Sequence, residues 1–139
     1  MTGPLGPISW RDGLPVLAVE RFTLACGLDV LVHTDRAVPL VAVWMGYRVG
    51  SSDEGDGQSG FAHLFEHMFK NSLHLGGRHH YQVLREAGAT DANAQTGTDR
   101  TVYHEVMPRA AVDAALWIEA DRMGFFLPGL DQARLDRQI

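Results

Sequence analysis

The residues best suited to chemistry form one short run, His63-Leu64-Phe65-Glu66-His67. On a helix, side chains four apart share a face, so both imidazoles can offer a ring nitrogen to one ion. Two neutral imidazoles at that spacing suit Zn2+, which takes nitrogen ligands at about 2.0–2.1 Å in tetrahedral geometry. Glu66, three residues after His63 and one before His67, flanks the same face. Its carboxylate is placed to reach a water on the cation rather than the cation itself. Such a water has its pKa lowered to about 7, and a neighbouring carboxylate can take its proton and pass it to a leaving amine. That is the division of labour in metal-assisted peptide hydrolysis. Taken alone, the spacing also admits a plainer reading, with both histidines solvated or packed on a helix face. The setting favours the metal: a glycine-rich loop comes before, and apolar Leu64, Phe65, Met68 and Phe69 hold the helix.

The flanking segments must position this turn. Residues 50–60 (GSSDEGDGQSG) are pure loop chemistry, and a helix is expected over residues 61–71 with Ser59 as its N-cap. Upstream, residues 1–15 are rich in Gly and Pro and read as an irregular arm. Residues 20–24 and 28–33 read as strands joined by a turn at Ala25-Cys26-Gly27. Residues 40–49 (LVAVWMGYRV) are apolar almost throughout, the pattern of a central strand covered on both faces. Downstream, residues 80–87 read as a short helix closed by Gly88. Residues 90–96 and 100–107 alternate as two strands around Gly97-Thr98-Asp99. Pro108 opens a longer helix running to Met123, Pro128-Gly129 breaks it, and residues 130–139 begin another. This order predicts an α+β fold, a mostly antiparallel sheet with helices packed on one side. The last helix has no cap or closing glycine and reads as cut rather than finished.

At 139 residues, with 45% hydrophobic and 21% charged, the composition is that of one globular domain or part of one. It excludes disorder and collagen-like repeats. The longest near-apolar run, residues 38–47, is far short of the roughly 18 residues a membrane span needs. A net charge of -5 offers no footprint for nucleic acid. The opening MTGPLGPISWRDG has no apolar stretch after a basic start, so no secretory signal is expected. The expected compartment is the cytoplasm, with the periplasm the alternative. Cys26 is the single cysteine and reads as a turn residue. His74, His79 and His80 read as solvated loop histidines, and Trp44, Trp117, Phe125 and Phe126 as core.

The segment GFAHLFEHMFKNS, residues 60–72, resembles the zinc-helix signature of the pitrilysin or insulinase family of metallopeptidases, the inverzincins. AGATDANAQTGTDRTVYHEVMP, residues 87–108, is similar to that family's Asn-Ala-x-Thr strand and the tyrosine-bearing strand after it. GSSDE before the zinc helix and LWIEADRMGFFLPGL after it fit the same order. The resemblance covers nearly the whole chain from about Glu20 onward. It implies a metallopeptidase half-domain of the LuxS/MPP-like kind over residues 16–139, incomplete at its C-terminal side. It implies His63 and His67 as Zn2+ ligands and Glu66 as general base. It also implies that Asn93, Ala94, Gln95 and Thr96 form a strand edge along which an extended peptide substrate lies, with the Asn93 amide near the metal. An exposed edge suits this, because its unpaired N–H and C=O groups bind backbone with little side-chain demand.

The family takes its third zinc ligand from a glutamate on the helix that begins near Leu130, and Gln138 falls about two turns before that position. The expected third ligand therefore lies beyond Ile139, with Glu119 and Asp121 the nearest poor substitutes. The resemblance also implies a two-halved chamber, so a missing half or a partner subunit is expected alongside the peptide. The leading expectation is a zinc endopeptidase. The alternatives are a non-catalytic subunit of that fold, or a fragment without independent function.

Overall fold

The computed structural model describes residues 9–72, 74–130 and 132–136. The first eight residues of the expected arm lie outside the described residues, as do residues 137–139, including Gln138. The chain divides into two compact units, Met1–Pro39 and Leu40–Ile139.

The first unit contains two hairpins. Strands β1 (Ser9–Arg11) and β2 (Leu14–Val16) pair antiparallel with Arg11 opposite Leu14. Residues 9–15, expected to be irregular, are thus part of a hairpin that ends at Val16. The reason is the two-residue turn Asp12-Gly13, where both residues have positive φ (52° and 77°). Such a turn matches the natural twist of paired strands. Strands β3 (Val19–Thr23) and β4 (Asp29–His33) form the second hairpin, around the turn expected from Gly27, whose φ is 89°. Cys26 is exposed in that turn.

The second unit is a three-stranded antiparallel sheet with helices on one face. Strands β5 (Leu40–Tyr47), β6 (Asp91–Thr96) and β7 (Thr101–Pro108) lie in the order β5-β7-β6. The central strand is therefore β7, and β5 is an edge among the described residues, against expectation. Its apolar run is only half covered. Val41, Val43, Met45 and Tyr47 line up with the buried Met107, Glu105, Tyr103 and Thr101. That face continues through Ala92, Ala94 and Thr96. Trp44 points the other way, is 66% exposed, and stacks on His104 with ring centroids 4.7 Å apart. Trp117 and Phe125 are also exposed, and of the four aromatics expected in the core only Phe126 is buried.

Helices α1 (Phe61–Met68), α2 (His80–Glu86) and α3 (Val112–Phe125) pack on the covered face, followed by the short α4 (Gln132–Asp136). The core joins Leu84 of α2, Met107 of β7, and Ala115 and Ile118 of α3. Pro108 ends β7 rather than opening α3, which starts at Val112 after one tight turn. Arg122, 1% exposed, ties three elements together. It donates to Glu119 at 3.0 Å and to the Phe69 carbonyl at 3.1 Å, and lies 3.7 Å over the Tyr103 ring. Burying a guanidinium this deeply requires such partners. No helix among the described residues is long and apolar enough to cross a membrane.

Candidate metal centre

Helix α1 begins at Phe61 as expected, but its cap is Gly60 and not Ser59. Gly60 is the N-cap with φ 89° and has no side chain to cap the helix. Glu54 does that work from the preceding loop. Its two carboxylate oxygens accept from the Gly60 and Ala62 N–H groups, both at 2.9 Å. A carboxylate there satisfies orphan donors and complements the positive end of the helix dipole. The same loop is pinned to the turn after β6, where Ser51 and Ser52 donate to the Gly97 and Thr98 carbonyls at 3.1 and 2.8 Å. The approach is so close that a Cβ on Gly50 would sit 2.5 Å from backbone atoms of that turn. Only glycine fits there.

From this frame α1 presents His63 and His67 side by side. Their Nε2 atoms are 3.1 Å apart. A tetrahedral ion with nitrogen ligands at about 2.0–2.1 Å holds them roughly 3.3 Å apart. The two imidazoles therefore fit one ion with almost no movement. Ligand atoms of His63, Glu66 and His67 all lie within 4.8 Å of one another, two exposed rings flanking a buried carboxylate. Burial of the His67 ring, then the charges of Lys70 and His63, lower its pKa, against the opposing pull of Glu66. The ring is thus held neutral, the form that binds metal.

Glu66 is fixed from both sides. Lys70, one turn later, donates to Oε1 at 2.8 Å, and the Thr96 hydroxyl donates to Oε2 at 2.6 Å. The Tyr103 hydroxyl donates to the Glu66 carbonyl at 3.2 Å. Burial pushes the Glu66 pKa up, but the bonds from Lys70 and Thr96 and the charges of Lys70 and His63 outweigh it, so the net shift is downward. The carboxylate is held in its ionised form.

An open cleft of about 560 Å³ runs beside these groups. Its walls are Ser51, Glu54, Ser59 and Gly60 on one side, His63 and Glu66 at the base, and Ala94, Gln95, Thr96, Gly97 and Thr98 on the other. The expected strand residues Ala94, Gln95 and Thr96 thus reach the site, on a strand that is a sheet edge among the described residues. Asn93 does not. It pairs with His104, on the face opposite Thr96, and its Oδ1 accepts from the Ala94 N–H at 2.9 Å. Its side chain lies on the sheet face opposite that of Thr96, and Asn93 is not among the residues that line the cleft.

The acids considered as substitute ligands are engaged elsewhere. Glu119 pairs with Arg122, and Asp121 with His74. Of the three loop histidines, His80 is buried rather than solvated, 1% exposed. His79 accepts from the Tyr81 N–H at 3.2 Å. Sequence reasoning passed over Lys70 and the capping role of Glu54. The first had a signal in its four-residue spacing from Glu66. The second depends on a loop folding back, which spacing does not reveal.

The chain is similar to several known proteases. A "Zinc protease PqqE" from Helicobacter pylori is 32% identical over 122 residues, covering 86% of this chain and 27% of that protein. The chain thus spans about a quarter of the length of the curated relatives it matches. The crystal structure of a protease from Helicobacter pylori superposes with a TM-score of 0.80 at 29% identity, over 88% of this chain and 29% of that one. Pitrilysin shares the fold, with a TM-score of 0.77 at 21% identity over 99% of this chain and 14% of its own. The family described as insulinase (peptidase family M16) matches residues 29–138, and the chain belongs to that family.

Proposed function

We propose that this chain is the zinc-binding core of an endopeptidase that hydrolyses extended peptides. The observation that carries the reading is the 3.1 Å approach of the two imidazole nitrogens beside an ionised, buried carboxylate. His63 and His67 would hold the ion, which when bound supplies Lewis-acid polarisation of a carbonyl and acidification of water. A Glu66 carboxylate oxygen takes the proton of the attacking water and returns it to the leaving amine nitrogen. Lys70 and Thr96 keep that carboxylate charged and aimed. The open edge of β6 receives the peptide as an added strand, fixing its backbone beside Glu66. A third zinc ligand and a second half of the chamber come from outside the described residues. The zinc protease names of the relatives support the metal and the reaction class.

The test is Glu66→Gln in the protein carrying this chain. Peptide cleavage is lost while zinc content stays that of the wild type. Cleavage at the wild-type rate would remove Glu66 from the mechanism. Loss of zinc together with cleavage would recast Glu66 as a ligand.

A further inference from the structure

We infer that Thr96 is a positioning residue that couples the general base to the substrate strand, an inference resting on the peptidase reading above. Three observations meet at this residue. Its hydroxyl donates the 2.6 Å bond to Glu66 Oε2, the shortest contact the carboxylate makes. The neighbouring Thr101 hydroxyl lies 3.5 Å away and gives its single proton to the Val49 carbonyl at 3.0 Å, so it does not compete for Glu66. The third observation is the hydrogen-bond phase of the edge strand. The Gly97 N–H bonds the Arg100 carbonyl at 2.8 Å. Along an antiparallel ladder, bonded and non-bonded pairs alternate. With Thr96 opposite Thr101 and Ala94 opposite Tyr103, the backbone groups of Gln95 and Asn93 turn inward to β7. Those of Ala94 and Thr96 turn outward. The Ala94 N–H agrees, since it bonds the Asn93 side chain and not β7.

Thr96 therefore faces two ways. Its backbone N–H and C=O stand on the open edge, where an added strand would bond them. Its side chain grips the base. A peptide docked along β6 immobilises the Thr96 backbone, and through the hydroxyl it fixes the orientation of Glu66. The base is best aligned when a peptide reaches this residue. Lys70, just past the end of α1, holds the other oxygen and is not on the edge strand.

The experiment compares Thr96→Val, which keeps the shape and removes the hydroxyl, with Thr96→Ser, which restores it. Both are made in the protein carrying this chain, beside Glu66→Gln. A hydrogen bond to a charged group is worth enough that losing it lowers kcat about ten- to a hundred-fold. The expected result is that loss in Thr96→Val with KM and zinc content unchanged, and recovery in Thr96→Ser. Independently of turnover, the Thr96 hydroxyl proton is expected as a slowly exchanging, downfield NMR resonance that Glu66→Ala abolishes. A raised KM at unchanged kcat would make Thr96 a plain substrate contact. Lost zinc or a misfolded Thr96→Val with no hydroxyl resonance in the wild type would make it merely structural. Wild-type cleavage by Glu66→Gln would remove the peptidase reading and this coupling with it. An inactive Glu66→Gln beside a fully active Thr96→Val would remove the coupling alone.

Discussion

Replacing Glu54 should loosen the zinc site without touching a ligand. Its carboxylate bridges the Gly60 and Ala62 N–H groups at 2.9 Å each, and the glycine N-cap offers nothing in its place. Two bonds to a charged acceptor would be worth about 3–6 kcal/mol if deeply buried. Glu54 is only half-buried, so solvent replaces part of that in the variant. Measured cap deletions cost about 0.5–2 kcal/mol. Glu54→Ala is therefore expected near the top of that range, at about 2 kcal/mol, and Glu54→Gln at about 1 kcal/mol, since one acceptor remains. His63 sits in the first turn of α1, so part of this loss reaches the metal. The ceiling is about 30-fold in zinc affinity if all of it does. Urea unfolding reads the first number and competitive zinc titration the second, with the exposed Asp56→Ala as a control expected to change neither. If Glu54→Ala unfolds at the wild-type midpoint and binds zinc as tightly, the cap does not organise the site.

Two further outcomes follow from the buried charges. Burial foremost, then the charge of Glu119, raises the Glu105 pKa from 4.5 to about 7, with Arg122 pulling the other way. A carboxyl raised in the folded state binds its proton more tightly there, so the contribution of Glu105 to stability is full below pH 4.5 and is lost as pH rises through 7. The amount is on the order of 3 kcal/mol. Glu105→Gln should flatten that slope in urea titrations and stabilise the protein at pH 8; an unchanged slope would remove Glu105 as its source. Arg122→Met strips the partner from buried Glu119 and the donor from the Phe69 carbonyl, so a loss of about 3–5 kcal/mol is expected. Adding Glu119→Gln should recover part of it in the same assay, and no recovery would show that the ion pair is not the cause.

The zinc helix, the β6–β7 hairpin and the α+β class were legible because each rests on local chemistry. Imidazoles at helical spacing, a glycine turn between alternating strands and the Gly88 stop all act within a few residues. The Asp12-Gly13 hairpin was equally local, but the surrounding prolines and glycines concealed it. What local chemistry cannot show is which face of an apolar strand is covered. The β5 run reads as doubly buried, yet Trp44 lies open because the central place goes to β7. The buried Arg122 of α3 lies over the Tyr103 ring of β7. Asn93 illustrates the same limit at the site. The resemblance implied an amide near the metal, but Asn93 lies outside the cleft lining, on the face opposite Thr96, and it is Thr96 that makes the contact with Glu66.

Crystals soaked in zinc and measured across the zinc absorption edge test the central claim most directly. The account predicts one anomalous peak about 2.0–2.1 Å from Nε2 of both His63 and His67, absent from His63→Ala and His67→Ala and retained in Glu66→Gln. A peak bound to only one of the two rings, or none at all, would contradict it.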